Sequence, residues 1–185
     1  MNVREANADD ASAVAAVARE SWHAAYDDLL SPSVVDETVD AWYDPTDLRE
    51  QIAQSGEGGS GVYVAEIDGS VVGFAHVYGG SDGRNDASTA RSTAATAERE
   101  LGRLYVREAQ WARGVGTALL DRAATDLAAD GVERLRTVVF ANNDGGRRFY
   151  DARGFEVRGE RTEAFGGERY DQLVLVASLS ELRSE

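Results

Sequence analysis

The segment from Leu101 to Leu127 constrains the fold more than any other. Leu101 to Val106 reads as a strand, and Gln110-Trp-Ala-Arg-Gly-Val-Gly116 as a tight turn. Leu119, Leu120, Ala123 and Leu127 then recur at helical spacing, with Gly131 placed to end the helix. A strand that turns so quickly into a helix commits the chain to helices layered on a sheet. Gly114 and Gly116 let the backbone pass close to a ligand, and the helix that starts there aims unpaired N–H groups at it. That suits a phosphate or pyrophosphate. A dinucleotide fingerprint needs a third glycine where Leu119 stands, and a Walker loop needs a lysine, so neither motif is present.

The rest of the chain supplies the layers. Val3-Arg4 starts a strand, and Asn7 to Asp10 opens a helix through Val14, Val17, Ala18, Trp22, Tyr26 and Leu29. Ser31-Pro32 and Asp44-Pro45 open two more. Val62–Ile67 and Val71–Tyr78 flank Asp68-Gly69, a hairpin signal. Residues 79–97 read as a long mobile connection within a domain spanning 1–180. Leu135–Ala141 is a strand, Asp144–Arg153 a short helix, and Phe155–Arg161 and Tyr170–Ala177 are closing strands. The order predicts an α+β fold, a single domain with a mixed central sheet of about six to seven strands flanked by helices.

Composition removes several chemistries. The 185 residues contain no cysteine, so there is no thiol nucleophile or thiolate metal site. All 19 basic residues are arginine, which removes lysine Schiff-base chemistry. With 33 acids the net charge is −14, and nucleic acid or an anionic membrane would be repelled. The polar, acidic N-terminus is not a signal peptide, and no apolar run is long enough to span a membrane, so the expected location is cytoplasmic. The acidity fits a halophilic setting, where molar salt cuts the Debye length to roughly 3 Å; a GC-rich genome favouring arginine codons fits equally.

A second segment, Asn142-Asn143 … Phe149-Tyr150 … Gly154-Phe155, sets an amide seven residues before a tyrosine on a short helix. Seven residues is about two turns, so Asn143 and Tyr150 can share a face. Alternatively, Asn143 is a helix cap and Tyr150 a core aromatic with a polar tip.

Taken together, Leu104-Tyr-Val106, Arg113-Gly-Val-Gly116-Thr-Ala-Leu-Leu120, Asn143 … Phe149-Tyr150 and Gly154-Phe155 resemble the GNAT superfamily of N-acetyltransferases. The likeness extends to Val3–Ala6 and Asp9-Asp10, to Trp22 and Tyr26, and to Asp68-Gly69 … Val72-Gly73, so it covers essentially the whole chain.

The resemblance implies acetyl transfer from acetyl-CoA, without a metal, to a primary amine by direct attack in a ternary complex. The absence of cysteine, which leaves no thiol to carry the acyl group, agrees with direct attack. The pyrophosphate would lie on the backbone of Trp111, Ala112, Arg113, Gly114, Val115, Gly116 and Thr117. Trp111 stands where the family usually has Gln or Arg, which removes one polar contact. The pantetheine arm would bind as an added strand along Leu104, Tyr105 and Val106, with the Val106 amide as oxyanion donor. Asn143 matches the amide that contacts the cofactor arm, and Tyr150 the hydroxyl that protonates the departing thiolate. Arg107 and Arg113 would offer local positive charge to the polyanionic coenzyme.

Glu100 is the expected base, directly or through water, since period-two alternation gives it the facing of Gly102, Leu104 and Val106. His23 and His76 are alternatives for that role, but two histidines with no third ligand do not make a metal site. Trp22 and Tyr26 fall where the family lines its acceptor cleft. The acceptor would be an amine on a small molecule, a protein N-terminus or a side chain; a homodimer is compatible with all of this. A non-catalytic acyl-CoA sensor and a longer-chain acyltransferase are the competing readings. Gly79-Gly-Ser-Asp-Gly83 matches a hydrolase elbow only in letters, because no helix start follows the serine.

Overall fold

A computed structural model describes residues 1–56, 60–79 and 98–182. The connection read at 79–97 and the Gly79–Gly83 motif lie almost wholly outside the described residues. The chain begins with β1 (Asn2–Glu5) and a short 3-10 turn over Ala8–Asp10 that runs into α1 (Ala11–Tyr26). Asn7 starts this turn as a capping box: its side chain accepts the Asp9 N–H at 2.9 Å, and the Asp10 carboxylate accepts the Asn7 N–H at 2.8 Å. In α1, Val14, Val17, Ala18 and Trp22 are buried at the expected spacing. Helices α2 (Pro32–Trp42) and α3 (Pro45–Ala53) each start on the predicted proline.

Asp10 also ties α1 to the sheet. Arg4 donates to both its carboxylate oxygens, at 2.7 and 2.9 Å, and to Glu66 on the next strand. Hydrogen bonds from Arg4 hold the Asp10 carboxyl below the usual carboxylate range. A folded-state pKa below the unfolded value of about 3.9 stabilises the fold above that pH and loses its effect as pH falls through the folded value. Asp10→Asn should therefore cost roughly 1–3 kcal/mol at neutral pH and flatten the acid limb of a urea-midpoint-against-pH curve. Parallel curves for the two proteins would refute this.

The sheet order is β1-β2-β3-β4-β5-β7-β6. It is built from β2 (Gly61–Ile67), β3 (Ser70–Tyr78), β4 (Glu98–Val106), β5 (Arg134–Phe140), β6 (Glu156–Phe165) and β7 (Glu168–Ser178). Every neighbouring pair is antiparallel except β4 and β5, which are joined by the crossover helix α4 (Val115–Ala129). This seven-stranded mixed sheet agrees with the six to seven strands that the order of elements predicts. Strand β4 starts three residues before the expected Leu101, and β6 runs on to Phe165. Helix α6 (Leu179–Leu182) was not anticipated. No helix among the described residues is long and apolar enough to cross a membrane.

The sheet separates two cores. Leu119, Leu120, Ala123 and Leu127 of α4 pack on one face with Tyr150 of α5 (Asp144–Asp151) and Phe155. Val14, Trp22, Val39, Leu48 and Phe74 fill the other face, beneath α1, α2 and α3. The two strands that meet in parallel do not stay together. Their pairing covers Glu98↔Arg134 to Leu101↔Thr137 and stops, although β4 continues to Val106 and β5 to Phe140.

The cause lies at Gly102. On β3, His76 and Val77 are consecutive, yet their partners on β4 are Arg103 and Leu101, so Gly102 is an extra, bulged residue. The Tyr78 ring occupies the space of a Gly102 side chain: an added Cβ would lie 2.0 Å from it. A bulge bends and twists its strand, and β4 leaves β5 at this point.

Candidate active site

The gap that opens between β4 and β5 is the centre of the site. At its closed end the Thr137 hydroxyl donates to the Leu101 carbonyl at 2.8 Å, fully buried. The Tyr150 hydroxyl, arriving from α5, hydrogen-bonds with Thr137, and it interacts electrostatically with Tyr26 and Tyr105 on the other side of the sheet. Burial pushes the Tyr150 phenol up to about 12, so it keeps its proton throughout the neutral range.

One wall of the gap is backbone. Arg107 N–H donates to the Val72 carbonyl at 2.9 Å, and Val106 stands opposite Gly73. In an antiparallel ladder the inward-bonded residues alternate, so Tyr105 and Arg107 bond to β3 while Leu104 and Val106 turn their N–H and C=O groups toward the gap. The Val106 carbonyl confirms this direction, because it accepts the Trp111 indole N–H at 2.7 Å. Trp111 stands where the loss of a polar contact to the coenzyme is expected; within the chain its N–H pins the turn to β4, and its ring is 43% exposed.

The turn beyond is tightly curled. Ala112 (φ 57°) and Gly114 (φ 80°) both take left-handed conformations, a curl that points successive N–H groups inward. Helix α4 then begins at Val115, leaving the first-turn N–H groups of Val115, Gly116 and Thr117 without intrahelical partners. Gly116 also meets a packing demand: an added Cβ would come within 3.1 Å of the Phe149 ring on α5. Glycine there lets α4 and α5 meet side by side at the gap.

Of the two arginines expected beside the turn, Arg107 lies 3.4 Å from Glu20 on α1, while Arg113 stays at the turn and reaches Gln110 at 3.4 Å. Arg153, which sequence reasoning missed, donates to the Thr117 hydroxyl and to the Phe149 carbonyl, and its guanidinium lies 3.8 Å from the centre of the Phe149 ring. Its only sequence signal was its position just after Tyr150.

Asn143 is the cap of α5, its side-chain oxygen accepting the Gly146 N–H at 2.8 Å. Its amide also hydrogen-bonds with the Tyr26 hydroxyl, so the cap residue faces the site as well. Tyr26 continues to Tyr105, and Tyr105 to Tyr43, whose hydroxyl accepts the Trp22 indole N–H at 3.2 Å. Burial lifts the Tyr26 and Tyr105 hydroxyls above their ordinary range, so these two phenols keep their protons. The Tyr105 side chain belongs to this chain of phenols, while its backbone N–H and C=O groups bond to β3.

On the α1 side the gap leads into a cleft walled by Trp22, Tyr26, Trp42, Tyr43 and Phe165. Trp22 and Tyr26 are core residues, 2% and 8% exposed, and also cleft wall. Glu100 lines this cleft, but not with the facing expected of it. The bulge at Gly102 reverses the alternation, so Glu100 shares its side of β4 with Arg103 and Tyr105, while Leu104 and Val106 pack toward α4. The Glu100 carboxylate is held by Arg136 at 2.6 Å, directly across the parallel pair. His23 lies on the helical surface between Asp27 and Asp36, away from the gap, and His76 is buried against Tyr78 beside Arg103. Three charged cleft residues, Arg103, Arg161 and Glu163, escaped sequence reasoning. Arg103 is invisible without the bulge that aims it, and the other two lie on β6, far along the chain.

Comparison with known proteins agrees with this geometry. The family described as "Acetyltransferase (GNAT) family" matches residues 21–155. Uncharacterized N-acetyltransferases of Mycobacterium tuberculosis and Mycobacterium bovis are 26% identical over 170 residues, covering 92% of this chain and 98% of theirs. Among solved structures, the PaiA N-acetyltransferase of Thermoplasma acidophilum in complex with coenzyme A is similar at a TM-score of 0.77. It is 21% identical, with 96% of this chain and 98% of that one covered. A ribosomal-protein-alanine N-acetyltransferase of Brucella melitensis gives a TM-score of 0.71 at 20% identity, covering 96% and 99%.

Proposed function

The chain belongs to the acetyltransferase (GNAT) family, and from that premise we propose that it moves the acetyl group of acetyl-CoA to a primary amine by direct attack in a ternary complex. The observation that carries this reading is the gap itself. The Val106 N–H, turned away from β3, borders one side, and the Tyr150 phenol stands at its closed end.

The residues present fit acetyl-CoA. The free edge of β4 matches the amide spacing of a pantetheine arm laid alongside it, and the curl from Trp111 to Thr117 with Arg153 suits a pyrophosphate. Bound acetyl-CoA supplies an activated acyl thioester. The Val106 N–H then donates to the carbonyl oxygen as negative charge develops there. Tyr150 holds a proton at its phenol oxygen for the sulfur that departs. Glu100, fixed by Arg136, removes the proton of the incoming ammonium directly or through water. Trp22, Tyr26 and Asn143 shape the approach, with the phenol chain fixing the Asn143 amide.

The test is release of free coenzyme A from acetyl-CoA in the presence of amine libraries, with products identified by mass spectrometry. Acetylated amine at the expense of thioester is the expected result. Binding of acetyl-CoA without any turnover would overturn the enzymatic reading and leave a binding module. Faster turnover with longer acyl thioesters would overturn the acetyl assignment.

A further inference from the structure

Arg103 is anomalous in this protein. Acids outnumber bases 33 to 19, and the other acids and bases of the cleft are paired: Glu100 with Arg136 at 2.6 Å, Glu163 with Arg161 at 3.0 Å. Arg103 is 5% exposed, lines the same cleft, and has no carboxylate in ion-pair range among the described residues. None of its partners is a carboxylate. It donates to the Gln51 side-chain oxygen at 3.2 Å and to the Trp42 carbonyl at 2.9 Å, lies 3.4 Å from His76 Nδ1, and stacks 4.5 Å from the centre of the Tyr43 ring.

A guanidinium has five N–H donors, and these contacts engage three. A buried cation without a counter-charge is costly to a fold, and a protein with this surplus of acids had every opportunity to supply one.

We propose that the counter-charge comes from the acceptor: the amine that is acetylated also carries a carboxylate, and Arg103 receives it. The proposal rests on the transferase reading above and names its substrate class. Glu100 and Arg103 lie on the same side of β4, one bulge apart, so a zwitterion can place its ammonium toward Glu100 and its carboxylate on the guanidinium. Planar, two-pronged donation is the geometry in which arginine binds carboxylates best. Between the two charges the wall is aromatic, from Trp42 and Tyr43, which suits a short carbon body. A site built to bind a charged group also rejects the analogue that lacks it, because its own donors are then left unpaired.

The experiment compares matched acceptors: 4-aminobutyrate against butylamine, and phenylalanine against phenylalaninamide. In the unmodified protein the carboxylate member of at least one pair should have the higher kcat/KM, by roughly 10–100-fold. Arg103→Gln should collapse that ratio toward one. Equal use of both members by the unmodified protein overturns the proposal. So does a parallel fall for both members in Arg103→Gln, which is what a purely structural brace produces.

A second arm needs no turnover. Calorimetric titration of coenzyme A-loaded protein with 3-phenylpropanoate, which has no amine, should show binding that Arg103→Gln loses. Equal binding by both proteins sinks the carboxylate site. Absence of thioester consumption with every amine sinks the transferase reading instead, so the two failures are distinguishable.

Discussion

Replacing Tyr150 with phenylalanine is expected to lower kcat by about two to three orders of magnitude, the size of effect that loss of a positioned general acid produces. The change removes one oxygen and leaves the ring, which packs edge-on against Phe149 and Phe155. The fold should therefore lose only the hydrogen bond with Thr137, about 1 kcal/mol, visible as a small drop in urea midpoint. The KM for acetyl-CoA should change little, because the turn at Trp111–Thr117 is untouched. Burial holds this phenol near 12, so the proton it gives is present across the whole working pH range, and no limb of the pH–rate profile below pH 10 should belong to it. Single-turnover kinetics with the chemical step unchanged in Tyr150→Phe would remove Tyr150 from the mechanism.

The second large effect is expected from Val106→Pro. Proline deletes the one N–H that borders the gap at this position and keeps the chain extended. In the interior of a strand it would ordinarily break the ladder. Here the bonds to β3 run through Tyr105 and Arg107, on either side, so the ladder does not use the Val106 N–H. Loss of one oxyanion donor costs roughly 100- to 1,000-fold in kcat. Thermal unfolding and far-ultraviolet circular dichroism should stay close to those of the unmodified protein. A variant that folds and retains most of its rate would show that the charge on the carbonyl oxygen is stabilised elsewhere. Val106→Ala, which keeps the N–H and trims the side chain, separates a packing effect from a hydrogen-bonding one.

Much of the architecture is legible in residue spacing. The capping pattern at Asn7–Asp10, the prolines at 32 and 45, the Asp68-Gly69 hairpin and the Gly-x-Gly turn each act over a handful of residues, and each forms where its local chemistry places it. Tyr150 and Asn143 were legible for the same reason: they sit on one short helix, and helical geometry brings both to the region of Tyr26. Trp111 was legible as a position but not as a contact, because its partner, the Val106 carbonyl, is exposed only by the phase of the ladder with β3.

The facing of Glu100 shows where local rules stop. Alternation along a strand assumes an unbroken pleat, and Gly102 breaks it. The glycine inside Glu-Leu-Gly-Arg-Leu is the one hint of a bulge, and by itself it does not fix one. The Tyr78 ring from the neighbouring strand occupies the volume where a side chain would stand, so the bulged position takes glycine. The bulge sets Glu100 and Arg103 on one side of β4, and β4 parts from β5 beyond Leu101.

The amino-acid order alone determined the elements, their sequence, the Gly114–Gly116 turn and the membership of the chain in the acetyltransferase (GNAT) family, because capping, periodicity and turn chemistry are interactions between near neighbours. Tertiary structure alone decided which side of the sheet each charge occupies and which cation among the described residues is buried in the cleft without an ion pair. Those outcomes depend on register between strands tens of residues apart, where one inserted glycine exchanges the two faces.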